Sequence, residues 1–372
     1  MVARDGAGNI FNFSIWCFPH LAVIAAQNGK HPYLLLSNLN PQYAGLVGMM
    51  ASAGSLDQLG IKNTRVWGDI KDSTVLNKVF SFSRVCKVVS RLKGQTCGLI
   101  GGRSMGMYTG VVDTRQWKKE FEVDIEHIDQ LEIIRLASEI PGNKVAAGFK
   151  WLTENVGKIL YDGKGLTEEK LRYQLRCFYA PKKILRRCGL DFIGIKCQTE
   201  LTDNYVSQCL TQAFLNDPYD MDGKKEPFVC ACECDMDGAL TMQILKLLTG
   251  YPVLFFDFRH YDKNEDVFVF SNCGSQATWY ADRSESPRDN LQKVSFYPQT
   301  PTFYPAGGAT VRYMCKQGPV TLARLMRKNG KYWMAIMPGE FVEYPEEKMK
   351  ETSNEWPQGF VKLGVNPSEL IS

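Results

Sequence analysis

Two short apolar runs, each ending in a carboxylate and separated by one well-marked helix, constrain this chain more than any other feature. The runs are Phe228-Val-Cys-Ala-Cys-Glu233 and Val253-Leu-Phe-Phe-Asp257. Between them Asp235 or Asp237 supplies an N-cap. Leu240, Ile244, Leu247 and Leu248 recur on one helical face, and Gly250 with Pro252 ends the helix. The pattern predicts a right-handed βαβ unit. Glu233 and Asp257 would then emerge at the carboxyl ends of parallel strands, the edge where open α/β sheets place their ligands. Neighbouring strands lie about 4.8 Å apart, so one cation could bind both side chains. Ionised carboxylates ending buried strands are costly unless they are paired or hold a cation.

The residues around this pair resemble the L-fucose isomerase family. The resemblance rests on Glu226-Pro-Phe-Val-Cys-Ala-Cys-Glu233, the 24-residue step from Glu233 to Asp257 in Phe256-Asp-Phe-Arg259, and Ser271-Asn-Cys-Gly-Ser275. It extends to Gly101-Gly-Arg-Ser-Met-Gly106, Ile195-Lys-Cys-Gln198, the Asn38-Leu-Asn-Pro-Gln42 region and Trp356-Pro357. The similarity implies an Mn²⁺-dependent aldose-ketose isomerase acting on L-fucose or D-arabinose through an ene-diol, with Glu233 and Asp257 as both metal ligands and proton-transfer residues. Hard oxygen donors suit Mn²⁺ or Mg²⁺, and carboxylates beside such a cation can serve as base and acid.

Further roles follow from the same resemblance. Trp16 would stack on sugar in a neighbouring subunit's site, within a homo-oligomer expected to be a hexamer. Lys196 and Gln198 would hydrogen-bond sugar hydroxyls, and Asn272 and Cys273 would contact substrate from a second turn. Lys196 stands where some members carry an amide, and Cys273 where the family often offers a hydroxyl. The family completes its metal shell with a histidine in an Asn-His pair well after the Trp-Pro element. Here Trp356-Pro357 is followed by fifteen residues and no histidine. His260, at an odd offset from Asp257 on an extended segment, is expected on the opposite face. Trp16 also arrives early for a full first domain. The chain thus reads as a member truncated at both ends, holding two of three protein ligands and turning over poorly or not at all alone.

The expected fold is α/β, with two Rossmann-like α/β domains followed by a mainly β C-terminal domain. The bounds are 1–92 (partial), 93–247 carrying Glu233, and 248–372 carrying Asp257 (partial). Tyr33–Ser37 and Thr64–Trp67 read as strands, with helices over 45–59 and 76–92. A fresh βα pattern starts at Thr96–Ile100. A helical stretch from Leu166 to Cys188 is expected to break near Pro181, and residues 191–196 form a strand. Beyond Gly250 the chain turns to strands separated by turn residues. The family's own boundary near Gly250 keeps an inter-domain cleft open as the alternative to a βαβ site.

A net charge of +4 over 372 residues, with no basic arm, argues against nucleic-acid binding. No run approaches the length of a membrane span, and the N-terminus lacks an apolar signal region. The twelve cysteines contain no CxxC pair. Strand alternation would put Cys230, Cys232 and Cys234 on one face, where core packing is favoured over a soft-metal site. A reduced, cytoplasmic protein follows.

Two rival functions remain. Gly102-Arg-Ser104-Met-Gly106 fits the G-x-S-x-G nucleophile elbow of a serine hydrolase, although neither His127 nor His260 has the late position a triad order favours. A non-catalytic sugar-binding or assembly subunit could keep the fold without completing the metal site.

Overall fold

The computed structural model describes residues 6–371; the outermost expected bounds, 1 and 372, lie outside the described residues. The fold is mixed α/β and divides into two compact units, Met1–Lys93 and Gly94–Ser372. In the first unit Asn9–Phe13, Tyr33–Ser37 and Thr64–Trp67 form a parallel sheet in that order. Alternation along the central strand builds two layers. Leu35 packs with Met49, Ala53 and Leu56 of helix Gly45–Gln58, and Leu34 packs with Val75 and Phe82 of helix Ser73–Leu92.

The second unit contains a four-stranded parallel sheet, ordered Cys230–Ala231, Phe192–Ile195, Thr96–Ile100 and Asp124–Ile128. It also holds a five-stranded antiparallel sheet, ordered Asp257–Asp262, Val267–Ser271, Gln358–Leu363, Lys331–Phe341 and Gly318–Lys328. The position between 247 and 248 falls inside helix Met236–Thr249. One buried apolar cluster draws on both sides of it, from Ile193 and Phe214 to Phe268, Phe296 and Val361. Among the described residues no helix is long and apolar enough to cross a membrane.

Several local expectations are corrected. Helix Glu168–Cys188 runs unbroken through Pro181. A proline frees the carbonyl four residues earlier, and here the Thr211 hydroxyl donates to that Cys177 carbonyl at 3.4 Å. The simple βαβ unit does not form. Helix Met236–Thr249 follows the parallel edge strand, but residues 252–256 are irregular, and Asp257 opens an antiparallel strand instead of ending a parallel one.

The apolar run before Asp257 has a side chain where a partner strand would lie. Gln276, itself buried, accepts from the Phe255 N–H at 2.7 Å and donates to the Phe255 carbonyl. Asn216 plays the same part at the edge of the parallel sheet, accepting from Cys230 N–H at 3.1 Å and donating to its carbonyl at 2.8 Å. Side-chain amides thereby satisfy backbone groups that would otherwise be orphaned.

Candidate active site

The chain leaves the parallel sheet after only Cys230 and Ala231 and turns tightly through Cys232–Cys234. Glu233 (φ 59°) and Cys234 (φ 54°) both adopt the left-handed conformation, which costs of order 1–3 kcal/mol each for non-glycine residues and clusters at functional sites. The turn lies against Gly194, where a Cβ would sit 3.1 Å from Cys234 Cα. A side chain there would press the turn away from the sheet. The expected alternation of the three thiols is therefore lost. Cys232 Sγ lies 3.4 Å from Cys273 Sγ, whereas Cys234 donates to the Gly194 carbonyl at 3.4 Å.

Helix Met236–Thr249 begins at once, capped by Asp235, which accepts from Gly238 N–H at 3.0 Å. Arg324, from the long hairpin Gly318–Phe341, clasps the same carboxylate with both terminal nitrogens, one at 3.1 Å. Gly238 leaves the room for this, since a Cβ would meet Arg324 Nη1 at 2.9 Å. Beside it, Arg327 Nε and the Tyr332 hydroxyl donate to buried Asp237 at 2.9 and 3.1 Å.

Asp257 reaches the site from the antiparallel sheet. It pairs with Ser271, so Asn272 and Cys273 leave the neighbouring strand beside it. Burial pushes Glu233 up to about 7, helped by the charges of Asp257 and Asp235. Asp257 is raised by the same desolvation, opposed by Arg259 and Asn272. Its side chain stays open to solvent, yet protein atoms crowd round it, as at the wall of a cleft. Among the described residues no hydrogen bond reaches the Glu233 carboxylate, and the buried Asn272 amide nitrogen is unpartnered. Asn272 lies close enough to favour the charged form of Asp257, but the geometry falls short of a hydrogen bond.

The structure thus gathers Glu233, Asp257, Asn272 and Cys273. Lys196 leaves the adjacent parallel strand at the same edge, with its ammonium engaged by Glu200 at 2.5 Å. The Gln198 amide faces the Phe303 carbonyl at 3.5 Å. Trp16 belongs to the first unit, where it is 41% exposed beside Phe18. Ser104 is buried with an unpartnered hydroxyl, and a loop, not a helix, follows its strand. A nucleophile elbow needs strand, sharp turn and helix, so that reading fails.

The His260 expectation is also corrected. A bulge at Arg259 shifts the register, so that Asp257 pairs with Ser271 and His260 with Val269, positions of like parity on the partner strand. His260 therefore shares the Asp257 face, two registers or about 7 Å along.

Sequence reasoning gave no role to Arg324 or Arg259, and gave Asp235 and Cys232 only a helix cap and a place in the core. Arg259, in Phe-Asp-Phe-Arg, lies over the Trp356 ring at 5.4 Å, and its charge favours the ionised form of Asp257. Nothing in the local sequence couples Arg324 to Asp235.

The fold and site are those of a mixed α/β protein with a carboxylate pair at the meeting of a parallel and an antiparallel sheet. Models of the L-fucose isomerase family match residues 3–94 (first N-terminal domain), 189–250 (second N-terminal domain) and 270–372 (C-terminal domain). The chain belongs to the L-fucose isomerase family. It is 24% identical over 307 residues to sulfoquinovose isomerase of Clostridium sp. (strain MSTE9), covering 81% of this chain and 64% of that protein. To L-fucose isomerase of Bacteroides fragilis (strain YCH46) it is 22% identical over 428 residues, covering 95% and 72%. To that of Streptococcus pneumoniae (strain P1031) it is 24% identical over 370 residues, covering 82% and 63%. It spans 64% and 59% of the lengths of two sulfoquinovose isomerases, the second from Alkalicoccus urumqiensis.

Proposed function

We propose that this chain carries the site of a metal-dependent aldose-ketose isomerase, with Glu233 and Asp257 holding a divalent cation. The observation that carries the reading is a pair of crowded carboxylates. Both are raised by desolvation, Glu233 feels the charge of Asp257, and the nearby guanidinium of Arg324 is already committed to Asp235. Such a donor set fits a hard cation, Mn²⁺ before softer ions. When bound, the ion supplies positive charge opposite the negative charge that develops on the sugar O1 and O2.

The protein's own groups do the remaining work. Glu233, held up by burial in the metal-free chain and ionised when it holds the cation, is placed to take a proton from one sugar carbon and return it to the next. Asp257 keeps a second carboxylate beside it. The unpartnered Asn272 amide can donate to a sugar hydroxyl, and Cys273, Lys196 and Gln198 complete the substrate contacts in this reading. Trp16 serves a neighbouring subunit's site in a hexamer. L-fucose and D-arabinose share their reacting end, and relatives named sulfoquinovose isomerase add a third aldose to the candidates. The twelve cysteines are all free, which supports a cytoplasmic setting.

The test is turnover of L-fucose, D-arabinose and sulfoquinovose with and without Mn²⁺. Isomerisation that a chelator removes and Mn²⁺ restores, and that is absent in Glu233→Gln, is expected. Metal-independent turnover, or full activity in Glu233→Gln, would contradict it. A second reading, a non-catalytic sugar-binding subunit, is favoured by one observation. The cluster of possible metal donors found among the described residues is Cys232, Glu233 and Cys273, without a histidine. Sugar binding with no turnover of any of the three aldoses would select it.

A further inference from the structure

We propose that Cys232, Cys273 and Glu233 form a thiophilic cation site, suited to Zn²⁺, that shares Glu233 with the carboxylate pair. Their donor atoms all lie within 4.8 Å of one another. The two sulfurs, 3.4 Å apart, are free thiols. A disulfide would need about 2 Å, whereas two thiolates on tetrahedral Zn²⁺, with Zn–S near 2.3 Å, stand about 3.8 Å apart. The thiols reach zinc spacing by parting slightly and a disulfide only by closing much further.

Both halves of the site are held from behind. Cys232 is fixed by the left-handed turn at Glu233 and Cys234. The Cys273 carbonyl accepts from Gln299 Nε2 at 2.7 Å and from the Cys209 thiol at 3.2 Å, and Gln299 is itself anchored by Trp356 Nε1 at 3.0 Å. Cys232 is buried while Cys273 and Glu233 are partly open, which leaves a route in and an open fourth position, as in zinc sites that keep a labile ligand. Binding replaces two S–H bonds by two Zn–S bonds, and the Glu233 O–H, where the carboxyl is protonated, by a Zn–O bond, with every displaced proton released to solvent.

A consequence follows that rests on the Mn²⁺ reading above. Thiolates favour zinc over manganese, so zinc would take Glu233 away from the sugar site and act as an inhibitor that Mn²⁺ alone does not displace.

The test uses the full, reduced, metal-free chain titrated with Co²⁺ as a spectroscopic stand-in, followed by Zn²⁺ competition. Wild type is expected to show an intense near-ultraviolet thiolate-to-cobalt band that Zn²⁺ abolishes. Cys273→Ser should weaken the band by about half, one Co–S bond of two remaining, and lose more than about tenfold in Zn²⁺ affinity. Asp257→Asn should keep the band while losing Mn²⁺ binding, which separates this site from the carboxylate pair. Co²⁺ binding to wild type without the band, or an unchanged band in Cys273→Ser, would overturn the proposal. The wild-type measurement decides even if the variant fails to fold.

Discussion

Two acidic regions of the second unit, one around Asp217 and one around Glu233 and Asp257, start from the same burial penalty and meet it in opposite ways. Burial pushes Asp217 and Glu233 alike up to about 7. Asp217 accepts from the Thr278 hydroxyl at 2.6 Å and the Trp279 N–H at 2.9 Å, with Lys225 close by. Those bonds tie the end of helix Cys209–Asn216 to the turn after Ser275. Among the described residues Glu233 has no such donor, although Asp235 and Asp237 on either side of the same helix start are each matched to an arginine. A scaffold carboxylate is satisfied by the protein, and the one left unsatisfied at a strained turn is the one proposed above to hold a cation.

The contrast predicts opposite signs for deleting the Asp217 acceptor and for neutralising Glu233. Asp217→Ala strands two buried donors and should cost about 4 kcal/mol in urea denaturation, with Mn²⁺ affinity unchanged. A loss below about 1 kcal/mol would erase the distinction.

Glu233→Gln should instead stabilise the metal-free protein at pH 8, by about 3 kcal/mol. The folded-state value lies above the ordinary 4.5, so the fold binds the proton more tightly than the unfolded chain. The penalty is absent below 4.5, grows as pH rises towards 7 and is complete above it. Wild type and variant should therefore melt together at pH 4 and diverge at pH 8. Equal stability at both would mean Glu233 is not desolvated.

Arg324→Met frees the Asp235 charge. Because Arg324 is about a third exposed, the loss should be only about 1 kcal/mol. The freed charge should also drive Glu233 further up, moving the pH midpoint of Mn²⁺ binding higher. An unmoved midpoint would detach Arg324 from the site. The smallest stability effect is expected of exposed Trp16→Ala, within about 0.5 kcal/mol. Loss of turnover without loss of stability would support its reading as a sugar contact, and full turnover would remove it.

Much of this was legible in advance because it depends on local pattern. Asp235 capping and Gly250 closing one helix, the buried run Tyr33–Ser37, and the carboxylates after two apolar runs are all short-range signals. What stayed hidden depends on long-range satisfaction of backbone groups. Gln276 and Asn216 stand in for strands, so the apolar runs before Asp257 and Glu233 are far shorter as strands than their hydrophobicity suggests. Thr211 answers the carbonyl freed by Pro181 and keeps that helix whole. The bulge at Arg259 reverses an argument from parity that holds only for an unbroken strand.

The central claim is that Glu233 and Asp257 together hold a divalent cation, and calorimetric titration with Mn²⁺ from pH 5.5 to 8.5 tests it most directly. Wild-type affinity should climb with pH until Glu233 is ionised near 7 and then level. Glu233→Gln and Asp257→Asn should each bind more than about tenfold more weakly, and Glu233→Gln should flatten the climb. Affinity that is independent of pH and undiminished in both variants would contradict the account.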